Sequence, residues 1–337
     1  VAVSAVGPSA SAVTYYLGDG SVTVDKDDTR GAYSYQGEDG SEEHRTYVNE
    51  DEADHGVINV KGGNAPTGDV PPSADNSDNG TEVPTPTDND TQSTDASGNN
   101  AENSTTTETT PGNTITVMED VKKKEKVDGT EGNDVKIVVE GVNVDTSTQT
   151  EAAPDTGNTG DKKTIIKVGE GAKVDLTVKD SNLTTGGHGI DIGVNLEGKD
   201  DNKGANVDLT LDHTQINLTQ NGKVGINVQD NSNVDLTLKG ENAIDGSKAT
   251  EKENILTKSV NVEGIRVGDG GAGDGSGTSE GAKTHLTISG GVEKTETADA
   301  DTEETESPAG GSLTISKTTG GLVMAAGSDV EITDGAD

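Results

Sequence analysis

Val174-Asp175-Leu176-Thr177-Val178 recurs almost unchanged as Val207-Asp208-Leu209-Thr210-Leu211 and as Val234-Asp235-Leu236-Thr237-Leu238. A cognate runs over 284–288 (Thr-His-Leu-Thr-Ile), and looser ones over 135–139 (Val-Lys-Ile-Val-Val) and 328–332 (Ser-Asp-Val-Glu-Ile). Each copy alternates aliphatic and polar residues, the period of a strand with one buried face. Similar strands returning at irregular intervals describe a stack of like units whose spacing is stretched by insertions.

Around this pentapeptide the chain phases into three strands per coil. The first carries Ile166/Val168, Ile190/Ile192, Ile226/Val228, Ile265/Val267 and Leu322/Met324. The pentapeptide is the second, and the third centres on Val144, Leu183, Ile216, Ile244 and Leu313. The coil from Ile166 to Ile190 has no insertion, and its length suits a three-sided parallel β-helix. The fold class is therefore all-β: a solenoid of about five to seven coils of three short strands, with long polar corner insertions. Those corners fall at 197–205, 247–259, 268–283 and 293–311, where extra residues leave a stacked core untouched. Asn143, Asn182, Gln215 and Asn242 are expected to stack as an amide ladder at one corner. Gly189, Gly225, Gly264 and Gly321 precede the first strand and are expected to permit a sharp turn. Val121–Val127, with its lysine run, reads as a charged loop.

Composition narrows the partners. With 25 basic against 62 acidic residues the net charge is -37, so nucleic acid and anionic lipid surfaces are repelled and a cation is the natural counterpart. Cysteine is absent, which removes disulfides and thiolate metal sites. Phe and Trp are absent too, and all five Tyr lie in the first 47 residues. The core beyond them must be built from Val, Ile, Leu and Ala, which favours a narrow core repeated along an axis. No apolar run is long enough for membrane insertion.

Four regions follow. Residues 1–12 read either as a signal-peptide remnant ending at Ala10-Ser11-Ala12 or as an N-terminal arm. Residues 13–63 form a Tyr-bearing cap or first coil, and 64–112 a low-complexity loop or linker too poor in aliphatics to offset its ordering entropy. Residues 113–337 carry the β-helix proper.

Stacking turns the polar positions of the repeat into columns. One outward column of the second strand is expected to read Lys136, Asp175, Asp208, Asp235, His285, Asp329. Its neighbour reads Val138, Thr177, Thr210, Thr237, Thr287, Glu331. Equivalent residues of adjacent strands lie about 4.8 Å apart, so Asp175, Asp208 and Asp235 are the candidate metal ligands. Carboxylates in consecutive coils repel one another unless a cation relieves them, and Ca²⁺ takes oxygen ligands of this kind. The competing reading has each Asp accept hydrogen bonds from the corner amides. On the first strand, Lys167, Asp191, Asn227, Arg266 and Val323 read as a surface ladder, with Arg266 a salt-bridge partner.

Other strings carry less. Asp25-Lys26-Asp27-Asp28-Thr29-Arg30-Gly31 lacks the third acid and the placed Gly and Glu of a calcium-binding helix–loop–helix. Gly268–Gly277 approaches a calcium-binding nonapeptide but is off by one residue. The five His form no ligand pair, and no Ser/His/Asp set, phosphate loop or paired-carboxylate motif is present, so the chain reads as a non-enzyme.

The successions 15–24 (Tyr-Tyr-Leu-Gly-Asp-Gly-Ser-Val-Thr-Val), 56–63 (Gly-Val-Ile-Asn-Val-Lys-Gly-Gly), 234–242 (Val-Asp-Leu-Thr-Leu-Lys-Gly-Glu-Asn) and 285–291 (His-Leu-Thr-Ile-Ser-Gly-Gly) resemble secreted and cell-surface repeat proteins of clostridia and gut Gram-positive bacteria. The resemblance implies a right-handed parallel β-helix that binds calcium and acidic polysaccharide, with Asp175, Asp208 and Asp235 the place to carry calcium over. The expected role is structural or adhesive, secreted or at a cell surface. Two alternatives remain: a subunit that stacks end to end with copies of itself into a filament, and a polysaccharide lyase.

Overall fold

The repeated pentapeptides fold as the alternation requires. In the strands Lys173–Lys179, Asn206–Asp212 and Asn233–Lys239, Val and Leu point inward and are fully buried, while Asp and Thr face outward. The computed structural model describes residues 13–25, 33–36, 42–47, 57–64, 110–121, 135–149, 163–196, 198, 203–249, 261–268, 284–290, 310–325 and 327–333. The readings of 1–12, of the linker body at 65–109, of the loop after Val121, of the Gly-rich string after Gly268 and of most of the long corners lie outside the described residues.

Three sheets of eight, nine and six strands make a parallel β-helix. The chain visits the second sheet, the first and the third in turn: Ile166–Gly169, Lys173–Lys179, Asn182–Thr185, then Ile190–Val194 and onward. The first sheet holds the pentapeptides. The core is a set of directly paired aliphatic columns, such as Leu176–Leu209–Leu236 and Ile166–Ile190–Ile226–Ile265. Each fully buried Leu or Ile contributes roughly 1.5–3 kcal/mol, and no aromatic ring is needed because the core is only a few side chains wide. The strands of 13–63 extend the same sheets: Val13–Tyr16 pairs with Ile58–Lys61, which pairs with Val135–Glu140. At that end of the second sheet, Tyr33–Gln36 lies antiparallel to Glu42–Tyr47, the one antiparallel pairing among the described strands.

Three expectations need correction. In the third sheet Ile315, not Leu313, continues the Val144–Leu183–Ile216–Ile244 column, and Leu313 stacks on Asn242. In the first sheet His285 stacks on Asn233 and beneath Asp329, while Thr287 and Glu331 continue from Asp235. Both are slips of two residues, which keep every side chain on its face and so leave alternation unchanged. None of the four glycines expected to permit a turn has left-handed backbone; Gly189, Gly225 and Gly264 serve packing, and a Cβ on Gly321 would meet nothing within 4 Å. A Cβ on Gly264 would sit 2.5 Å from Ile315 Cγ2 and 2.5 Å from the Gly321 carbonyl oxygen, and Gly225 is similarly confined by Ile244. Left-handed backbone is needed instead between the first and third sheets, at Gly141 and Gly240 and, at the same turn, Asp180 and His213.

In the last described coil the inward positions lose their cover. Leu322, Met324 and Ile332 stack on Ile265, Val267 and Ile288, yet are 38%, 48% and 63% exposed.

Candidate functional site

Asp175, Asp208 and Asp235 are directly paired across three adjacent strands, on the face opposite the buried Val and Leu residues. The register correction continues the column through Thr287 and Glu331. From Asp175 onward every side chain in the row therefore offers oxygen, where the sequence reading had placed an imidazole. Asp208 and Asp235 are exposed and Asp175 is half-buried. Lys136 precedes Asp175, with Nζ 3.8 Å from Oδ2, a loose pair between largely exposed groups.

The flanking columns have different chemistry. On one side Thr177, Thr210, Thr237 and Ser289 supply hydroxyls, with Thr237 Oγ1 3.5 Å from Ser289 Oγ. Beyond them Glu140, Lys179, Asp212 and Lys239 alternate in sign. Lys179 Nζ lies 2.7 Å from Glu140 Oε1. That hydrogen bond holds the Glu140 carboxyl below the usual carboxylate range and raises the Lys179 ammonium. On the other side His285 Nδ1 lies 3.4 Å from Asp329 Oδ2, and its Nε2 meets Thr287 Oγ1 at 3.0 Å. The Asp row is thus a like-charged stripe beside a charge-balanced one.

The corner amides largely serve one another. Gln215 Nε2 donates to Asn217 Oδ1, Asn217 Nδ2 to Asn182 Oδ1, and Asn182 Nδ2 to Asn143 Oδ1. Asn242 leaves this ladder: Ala243 stacks on Gln215, and Asn242 turns inward to accept from Thr214 N–H. In the preceding coils Ser181 Oγ accepts from Val142 N–H in the same way, while Thr214 Oγ1 donates to the Val178 carbonyl, so each side chain ties down corner backbone.

The ladder expected on the surface of the second sheet is buried. Lys167, Asp191 and Asn227 each stay under a tenth exposed. Asp191 Oδ1 accepts from Asn227 Nδ2 at 2.8 Å and Gln229 Nε2 at 2.9 Å. Arg266 forms a two-pronged pair with Glu263 at 2.6 and 2.8 Å. The alternation of this strand marks its inward face, and carries no record of whether its outward face meets water.

Chemically, the accessible row offers carboxylate and hydroxyl oxygens from one side. A Ca²⁺ ion takes six to eight oxygens, so the row supplies part of a shell and leaves the rest to water or to a ligand's own oxygens. Among the described residues no group of three or more His, Asp or Glu converges on a point; the carboxylates form a line along the stack. Among the described residues no helix is long and apolar enough to cross a membrane. No family model, no curated protein and no solved structure matches the chain.

Proposed function

We propose that this chain is a non-enzymatic, extracellular structural β-helix whose acidic sheet holds divalent cations, calcium first among them, and through these an acidic polysaccharide. The observation that carries the reading is the direct pairing of Asp175, Asp208 and Asp235 on an accessible face, with one hydroxyl column alongside. A bound cation relieves repulsion within the row, and its open coordination positions suit the carboxylates of a uronate chain lying along the stack. The resemblance of the repeats to secreted β-helix proteins supports the same reading. Calorimetry tests it: Ca²⁺ is titrated first, then polygalacturonate. Heat is expected from both, and the combined variant Asp175→Asn, Asp208→Asn, Asp235→Asn should lose both. No heat from either in the unsubstituted chain removes the proposal.

A second reading, association of copies through the ends of the solenoid, is favoured by one observation. Leu322, Met324 and Ile332 expose apolar surface on the last described coil, and association would cover it. Sedimentation velocity checks it. Concentration-dependent association that Ile332→Lys abolishes supports the reading; a monomer at high concentration counts against it.

A further inference from the structure

The outward column of the third sheet runs Asn143, Asn182, Gln215, Ala243, Thr314. Three long amides are followed by a methyl group, and the stack has a hollow there. A cleft of about 440 Å³ opens at this place, with His213, Gln215, Glu241, Ser312 and Thr314 around Ala243. That volume lies within the range of small-molecule sites.

Its walls are set by the fold. Gly240 has no side chain, and the His213 imidazole occupies the space a Cβ would fill. Both residues adopt left-handed backbone, with φ of 60° and 50°, so the ring's approach is fixed by the turn. The buried Asn242 makes the floor. Its Oδ1 accepts from Thr214 N at 2.9 Å, and its Nδ2 donates to the carbonyls of Lys239 at 3.0 Å and Ser312 at 3.2 Å. The floor amide is therefore held in place by the corner.

The rim keeps hydrogen-bonding capacity in reserve. Gln215 uses Nε2 on Asn217 and leaves its carbonyl oxygen, while His213 uses Nδ1 on Asp212 at 2.7 Å and leaves Nε2. The Glu241 carboxylate adds acceptors, and the Ser312 and Thr314 hydroxyls both donate and accept. Among the described residues the lining carries no Lys or Arg to pair with an anion and no large apolar side chain to hold a lipid or an aromatic ligand. A carboxylate, an amide oxygen and two hydroxyls around a small floor can accept from and donate to the hydroxyls of a sugar.

We infer that this cleft binds one neutral hexose unit of a glycan. The site lies on a different sheet from the acidic row and needs no cation, so it stands or falls independently of the function proposed above.

The test is two-dimensional amide NMR of the full chain in EDTA, titrated separately with the methyl α-glycosides of glucose, galactose and mannose, and with glucosamine. Saturable shifts confined to residues 213–215, 240–244 and 312–314 are expected with at least one neutral glycoside, at millimolar affinity. Ala243→Gln extends the amide column into the hollow and should weaken binding at least about tenfold. Glu241→Gln, at an exposed position, keeps the test decisive should Ala243→Gln fail to fold, and should weaken binding several-fold. Absence of saturable shifts with all three glycosides overturns the inference. So do shifts that survive both substitutions, or a preference for glucosamine over every neutral glycoside.

Discussion

The first and second sheets climb the same solenoid, built from strands of the same alternating pattern, yet their outward faces are opposite in character. On the first, Asp208 and Asp235 are exposed and ordinary surface rules apply. On the second, Asp191 is 4% exposed and Asn227 7%, and the carboxylate is matched by two amide donors. The same residue type thus meets solvent in one place and is shut away from it in the other. What separates them is solvent access, because a buried charge must be satisfied from within while a solvated one stays free to exchange partners.

Substitutions on the two faces should separate accordingly. The largest loss is expected at Gly264, within the second-sheet strand Glu263–Val267. In Gly264→Val the new side chain meets Ile315 and the Gly321 carbonyl at distances no Cβ occupies, at a cost of about 3 kcal/mol. Chemical denaturation reads this directly, and an unchanged midpoint would show that the coils are more loosely stacked than described. Next comes the paired test of the faces. Asp191→Ala strips the acceptor from two amide donors and should cost about 1–3 kcal/mol, whereas Asp208→Ala should stay within about 0.5 kcal/mol. Equal losses would erase the distinction between the sheets.

The smallest effect concerns Lys179 and Glu140, which link adjacent coils at the C-terminal ends of their strands in the first sheet. Glu140 is held below its ordinary value, so its contribution is complete above that value and fades as pH falls through the lowered one. Lys179 is raised, so its contribution is complete below its ordinary value and fades as alkaline pH passes the raised one. Both groups are largely solvated, and screening limits the pair to less than about 1 kcal/mol. Lys179→Met should therefore lower the denaturation midpoint slightly at neutral pH and leave it unchanged in acid. An equal loss in acid and at neutral pH would mean that the lysine acts through packing of its stem.

Much of this comparison could be read before any coordinates. Val, Leu and Ile recur with period two in three phases, and a narrow core admits no other use for them, so the coils and their central columns were legible from Ile166 to Val267. The last strands were not. His285 and Leu313 each stand two residues from their expected place, a slip that hydrophobic alternation cannot register. Asp175, Asp208 and Asp235 were legible as a row because their pentapeptides are nearly identical. Thr287 and Glu331 joined the row only with the register. The burial of Asp191 had no sequence signal, since polar outward positions look alike whether or not something covers them. The hollow at Ala243 depended on a one-residue shift that turns Asn242 inward.

The central claim is that the accessible row holds the cation, and Mn²⁺ in place of calcium tests it most directly through paramagnetic broadening of backbone amide signals. The account predicts broadening centred on Leu176, Leu209 and Leu236, displaced by excess Ca²⁺ and lost in the combined Asp175→Asn, Asp208→Asn, Asp235→Asn variant. Broadening spread evenly over the acidic surface, or unchanged in that variant, would contradict it.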